Sequence, residues 1–298
     1  MKNFSGTGVA LITPFTKDLT IDWAALTTLV NDLCTNGINY LVVLGTTGEG
    51  ITLTASEKKQ VFEHVLTTNA GRLPLVYGLG GNNTQSCIEE LQQPLLQAYD
   101  AILSVSPYYN KPTQEGIYQH YATIAKASTK PIILYNVPGR TGSNMQPSTI
   151  LRLANDFANI IAVKEACGNI EQIMQVIKGN TRSDFSVISG DDTITLPLIA
   201  AGAIGVISVV GNVFPKLFST MVELSLQQRF AEARVLHYQL LDAIDLLFVE
   251  GNPAGAKAFL YAMGKVENTL RLPLTPVSES TQHKIAQTLQ KIITTAVI

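Results

Sequence analysis

The chain is poor in several things that usually announce a function. Among its 298 residues there are three cysteines, Cys34, Cys87 and Cys167, an odd number set far apart. That spacing offers neither a disulfide framework nor a pair of metal ligands, and reduced thiols in a cytoplasmic protein are the expected state. Charged residues are only 15% of the chain, the net charge is −2, and no basic block occurs. Nucleic acid as the main partner is excluded, because phosphate binding needs a concentrated Lys/Arg surface. No apolar run reaches the roughly 18 residues of a membrane helix. The longest, around Ile199 to Val210, is broken by Gly202, Gly205 and Ser208. The residues ahead of Phe4 hold one lysine and no apolar core, so no signal peptide is expected. No Gly-x-Gly-x-x-Gly follows the first apolar run, which weakens a doubly wound dinucleotide-binding sheet.

What the chain does have is core and repetition. Hydrophobic residues make up 46% of it. Apolar runs recur at 8–15, 40–45, 73–80, 101–107, 131–137, 160–166, 185–190 and 202–209. They are continuous rather than alternating, as in parallel strands covered on both faces. Helical spacing fills the gaps: Trp23, Leu26, Leu29, Val30 and Leu33 fall on one face. Thr54 or Ser56, and Thr84, can cap helices, Pro147 suits a first turn, and Gly37 and Gly71 close two helices. Eight strand–helix repeats predict an α/β fold, a (β/α)₈ TIM barrel over 1–226. The strand-poor remainder, 227–298, predicts a helical extension packed on the barrel, with helices over 231–249, 254–263 and 281–293.

In such barrels chemistry gathers where strands meet the following loops. Polar residues sit there in this sequence. The second run ends in GTTGE, with Thr46, Thr47 and Glu49; the fourth in SPYYNKP, with Tyr108 and Tyr109; the fifth in YNVPGRTG, with Tyr135 and Arg140. The sixth, IIAV, ends at Lys164, and the seventh in SGDD. Glycines and threonines in GTTGE suit a carboxylate, although the segment also reads as a glycine turn with capping threonines. Arg140 can grip a carboxylate through two parallel hydrogen bonds, or sit in an ion pair on a solvated loop. Tyr135, taken alone, reads as a core residue whose hydroxyl finds one partner.

Lys164 carries the sharpest signal. A free lysine has a pKa near ~10.4 and is protonated at neutral pH. Apolar surroundings disfavour the cation and free the lone pair, so such an amine can attack a ketone and form a Schiff base. Glu165, next along the strand, should face the other way as a barrel-wall partner. Cys167 has no nearby histidine to activate it and reads as a packed residue. Asp191 and Asp192 read better as caps of a helix starting near Thr193 than as metal ligands. His64, His120, His237 and His283 fall in predicted helices and receive no catalytic role.

Taken in order and spacing, GTTGE, SPYYNKPTQEG, YNVPGRTG, VKEA and SGDD resemble the dihydrodipicolinate synthase family over nearly the whole chain, least so after Leu226. The wider superfamily of pyruvate-dependent lyases and aldolases shares the Schiff-base lysine and the strand-five tyrosine. The double threonine and PGRTG point to the synthase rather than to N-acetylneuraminate lyase or keto-deoxy sugar acid aldolases, which remain the alternative.

The resemblance implies a class I aldolase-type lyase of lysine biosynthesis by way of diaminopimelate. Its substrates are pyruvate and L-aspartate 4-semialdehyde. It implies a Schiff base at Lys164 and a proton relay of Tyr135, Thr47 and Tyr109, with Tyr109 supplied across a tight dimer. Thr46 and Thr47 hold the pyruvate carboxylate, Arg140 holds that of the aldehyde, and Gly190 and Ile207 supply backbone contacts. A homotetramer of two tight dimers is implied, and no cofactor or metal. One departure stands out. Family members inhibited by lysine use histidines after GTTGE and a glutamate after the third loop. Here those positions are Ala55, Lys58 and Ser86, which predicts weak or absent lysine feedback.

Overall fold

A strand rich in branched apolar residues must be covered on both faces, and the chain meets that demand by closing its strands on themselves. The computed structural model describes residues 4–295. The residues on which the signal-peptide expectation rests lie outside the described residues. In chain order the elements are β1 (Gly6–Ala10), α1 (Trp23–Thr35), β2 (Tyr40–Val43), α2 (Ala55–Asn69), β3 (Leu75–Gly80), α3 (Thr84–Leu91) and β4 (Ala101–Val105). Then come α4 (Gln114–Ala127), β5 (Ile132–Asn136), the short α5 (Pro138–Thr141), α6 (Pro147–Asp156), β6 (Ile160–Glu165), α7 (Ile170–Gly179) and β7 (Ser186–Ser189). The chain finishes with α8 (Thr195–Ala201), β8 (Gly205–Ser208), α9 (Pro215–Leu226), α10 (Phe230–Phe248), α11 (Ala254–Ala262) and α12 (Glu279–Thr295).

The strands pair in parallel in the order β1 to β8, and β8 closes on β1. This is the (β/α)₈ barrel that the repeats predict. Its core has two layers. Tyr40, Val42, Val76, Leu103, Ile133, Ala162 and Ile207 fill the interior. Leu41, Val43, Leu134 and Val163 point outward into the helix layer, where Leu26, Phe62, Ile117 and Phe218 meet them. Among the described residues no helix is long and apolar enough to cross a membrane.

The caps follow side-chain chemistry, with two shifts. Thr54 forms a capping box with Glu57, as its position predicts. For α3 the cap is Asn83, not Thr84: the Asn83 side chain accepts from the backbone N–H of Gln85 and Ser86. Asn outranks Thr at this position, which moves the start by one residue. At the end of α2, Ala70 already takes the left-handed conformation, one residue before Gly71.

Helices α10, α11 and α12 pack on one another, and α10 lies against α8 and α9. Two cations fasten this region to the loops after β1 and β2. Lys257 of α11 forms a fully buried ion pair with Glu49 and also donates to the Thr269 carbonyl at 2.9 Å. Arg271 grips both carboxylate oxygens of Glu57, holding that carboxyl down to about 2, and lies 4.5 Å over the Phe15 ring.

Candidate active site

Lys164 ends β6 on the inner face. A bulge near Ile132 sets the register, after which Tyr135 pairs with Lys164 and Lys164 with Ile188. Neighbouring strands in register present side chains to the same face. Accordingly the Lys164 Nζ lies 4.2 Å from the centre of the Tyr135 ring. Lys164 is 6% exposed and Tyr135 7%. Among the described residues Lys164 has no carboxylate within ion-pair range and makes no hydrogen bond, which is unusual for so buried a lysine.

Gly190, just past β7, makes room for that lysine. A Cβ there would stand 3.0 Å from Lys164 Cε and 2.8 Å from Ala166 Cβ. The Gly190 N–H donates to the Glu165 carbonyl at 2.7 Å, which ties the end of β7 to the end of β6. Ile207 of β8 is buried in the same interior cluster as Tyr135. Four of the expected site residues thus line one barrel interior.

Glu165 faces the opposite way, as the pleat requires. It is fully buried and accepts from Asn136 Nδ2 at 3.1 and 3.2 Å. Burial raises its carboxyl to about 7, against hydrogen bonds from Cys167, Asn136 and Gln172. Burial together with that carboxyl pushes the Cys167 thiol up to about 12, far from a reactive thiolate.

The GTTGE segment is a tight 3₁₀ turn over Thr46–Gly48, flanked by Leu44 and Glu49 at positive φ (64° and 51°). Strained backbone of this kind clusters at functional loops. Thr46 is exposed and Thr47 buried. The Thr47 hydroxyl accepts from Asn252 Nδ2 at 2.9 Å. Within one subunit no side-chain hydrogen bond among the described residues links Thr47, Tyr135 and Tyr109.

Tyr109 follows β4 at φ 73° and is 87% exposed. Its N–H donates to the Thr141 carbonyl at 3.3 Å, so the loops after β4 and β5 support each other. Arg140, on α5, is exposed, and its Nη2 donates to the Asn252 carbonyl at 3.5 Å. The structure therefore gathers Lys164, Tyr135, Gly190 and Ile207 in the barrel, and joins Thr47 and Arg140 through Asn252.

The SGDD expectation needs correction. Helix α8 begins at Thr195 after Ile194, with no side-chain cap. The buried Asp192 instead accepts from the N–H groups of Val209 and Val210, at 2.9 and 3.1 Å, and staples the loops after β7 and β8. Desolvation raises its carboxyl to about 6. Asp191 closes a local turn by accepting from the Thr193 N–H at 2.9 Å. The residue types that cap helices also staple loops, and sequence alone does not separate the two uses. Among the described residues no group of three or more His, Cys, Asp or Glu is placed to hold a metal.

Asn252, Lys257 and Glu49 escaped assignment on sequence. A signal existed for Lys257: it interrupts the apolar stretch AGAKAFL much as Lys164 ends IIAV.

The chain resembles known proteins over nearly its whole length. The sequence model of the dihydrodipicolinate synthetase family matches residues 3–292. Proteins named 4-hydroxy-tetrahydrodipicolinate synthase from Flavobacterium psychrophilum and Parabacteroides distasonis are each 55% identical, over 96% and 97% of this chain and 97% of each relative. The crystal structure of dihydrodipicolinate synthase from Aquifex aeolicus superposes with a TM-score of 0.93 at 40% identity, covering 97% of this chain and 98% of that one.

Proposed function

The chain belongs to the dihydrodipicolinate synthetase family, and we propose that it condenses pyruvate with L-aspartate 4-semialdehyde on Lys164 to give 4-hydroxy-tetrahydrodipicolinate. It is a lyase of the diaminopimelate route to lysine. The observation that carries the site assignment is a buried amine without an anionic partner among the described residues, lying over a tyrosine ring at the end of a barrel strand.

The chemistry follows from those groups. The Lys164 amine adds to the pyruvate ketone, and loss of water leaves an imine. The imine withdraws electrons from the adjacent methyl carbon, which gives up a proton to form an enamine. That carbon attacks the aldehyde of the second substrate. The amino group of the adduct then adds to the imine carbon, closing the ring and expelling Lys164. Each addition and elimination moves a proton. Tyr135 stands beside Lys164 and is suited to pass it, with Thr47 and Tyr109 completing the relay. Thr46 and Thr47 hold the keto-acid carboxylate, and Arg140 that of the aldehyde. Gly190 and Ile207 offer main-chain contacts beside the lysine.

The exposed Tyr109 supports a relay completed by a second subunit, because its own subunit leaves it 87% uncovered. The working assembly is a homotetramer built from two tight dimers. On α10, Val235 and Tyr238, three residues apart on one face, are 67% and 64% exposed, which suits burial against another copy.

Borohydride reduction in the presence of pyruvate tests the reading. Peptide mass mapping should locate the adduct on Lys164 alone, and Lys164→Ala should abolish it while leaving the circular dichroism unchanged. Labelling of another lysine, or none, would refute the assignment. Aspartate semialdehyde should outperform sugar aldehydes as the acceptor.

A further inference from the structure

We propose that Asn252, in the loop between α10 and α11, is a positioning residue for both carboxylate grips: its side chain sets the Thr47 hydroxyl as a donor, and its main chain steadies Arg140. This rests on Thr47 and Arg140 holding the substrate carboxylates, as proposed for the reaction.

The Asn252 Nδ2 donates to Thr47 Oγ1 at 2.9 Å, and the two residues are 6% and 2% exposed. A hydroxyl has one hydrogen and two lone pairs. Because the amide N–H occupies a lone pair, the hydroxyl hydrogen must point elsewhere. Thr47 has no acceptor for it among the described residues. A carboxylate only accepts, so the free hydrogen matches it. Had an acceptor stood in place of Nδ2, the hydroxyl would spend its hydrogen on the protein.

The other end of the amide strengthens the case. Asn252 Oδ1 is buried without a partner. A half-satisfied buried amide packs less favourably than an apolar side chain of similar shape. What the amide adds is its donor, and that donor goes to Thr47. Meanwhile the Asn252 carbonyl accepts from Arg140 Nη2 at 3.5 Å. The buried Lys257–Glu49 pair joins the same two segments and holds their spacing. One residue of the C-terminal region therefore touches the candidate grips of both substrates.

The test uses the full chain with Asn252→Leu, Thr47→Val and the double variant. Two readouts are taken: pyruvate dependence of borohydride trapping at Lys164, and KM for each substrate. Asn252→Leu should raise KM for pyruvate and the half-saturating concentration for trapping about tenfold, the worth of one charge-directed hydrogen bond. KM for aspartate semialdehyde should move by less than about twofold, because the main-chain contact to Arg140 survives, and in the Thr47→Val background Asn252→Leu should add nothing. An equal rise in both backgrounds, a parallel rise of both KM values, or no rise at all would overturn the inference. If Asn252→Leu fails to fold, Asn252→Ser, whose hydroxyl is too short to reach Thr47, is read in the same way. Wild-type protein that traps no pyruvate overturns the reaction itself and this inference with it. Wild type that traps pyruvate, beside a variant with unaltered dependence, overturns the inference alone.

Discussion

Replacing Lys257 by methionine should be far more damaging than its distance along the chain from Lys164 suggests. The Lys257–Glu49 pair is fully buried on both sides. With the ammonium gone, Glu49 keeps, among the described residues, only the Arg271 N–H, 3.1 Å away, as a hydrogen-bond donor. Breaking a buried pair by removing one partner costs about 3–5 kcal/mol, because the remaining charge is stranded. For a chain of this size each kcal/mol moves the melting temperature by about 2 °C, so Lys257→Met should lower Tm by about 6–10 °C. The double variant Lys257→Met/Glu49→Gln strands no charge and should recover at least half of that loss. Scanning calorimetry at pH 7 measures all three proteins. A drop below about 2 °C, or a double variant no better than the single, would refute the view that stranded charge is the dominant cost. A functional consequence follows too. Glu49 lies two residues after Thr47, so the loosened turn should raise KM for pyruvate.

Two further outcomes are expected. Burial holds the Glu165 carboxyl up at about 7, compared with about 4.3 for a solvated one. A raised carboxyl stabilises fully below its unfolded value and loses that contribution as pH rises through its folded value. The stability of wild type relative to Glu165→Gln should therefore fall by up to about 3 kcal/mol between pH 4 and 8, and a flat difference in urea unfolding would contradict the burial account. As for feedback, Ala55, Lys58 and Ser86 line one cavity of about 300 Å³ with Lys59, Glu89 and Glu90. Glu90 accepts from the Tyr77 hydroxyl and Glu89 from the Gln85 amide, while Lys58 and Lys59 add positive charge to the same cavity and disfavour a cation there. Activity should stay near its uninhibited level in submillimolar lysine, and strong inhibition in that range would sink this reading.

How much of this was legible in the sequence depended on how far apart the interacting residues lie. Strands announced themselves because both-face burial leaves unbroken apolar runs, and each run is local. Caps were legible to within a residue or so, since Asn83 and Thr84 compete for one position on small differences in hydrogen bonding. Asp192 misled because its partners, Val209 and Val210, belong to another loop. The same limit hid Asn252 and Lys257, whose partners in GTTGE are 205 and 208 residues away.

The two buried lysines make the limit concrete. Lys164 and Lys257 each interrupt apolar sequence, and both are nearly inaccessible, at 6% and 0%. Residue type and local pattern assign them the same signal. The fold separates them by partner alone. Lys257 meets Glu49, and burial lowers its ammonium toward about 8 against the opposing pull of that carboxylate. Lys164 meets a tyrosine ring and, among the described residues, no carboxylate. A lysine whose charge is matched at all times fastens a structure. One left unmatched beside a tyrosine is available to react, and its environment need not be rebuilt when the amine becomes a neutral imine. The two roles should not be exchangeable: introducing a carboxylate beside Lys164 would give it the partner that Lys257 has, and pyruvate trapping should disappear while the barrel stays folded.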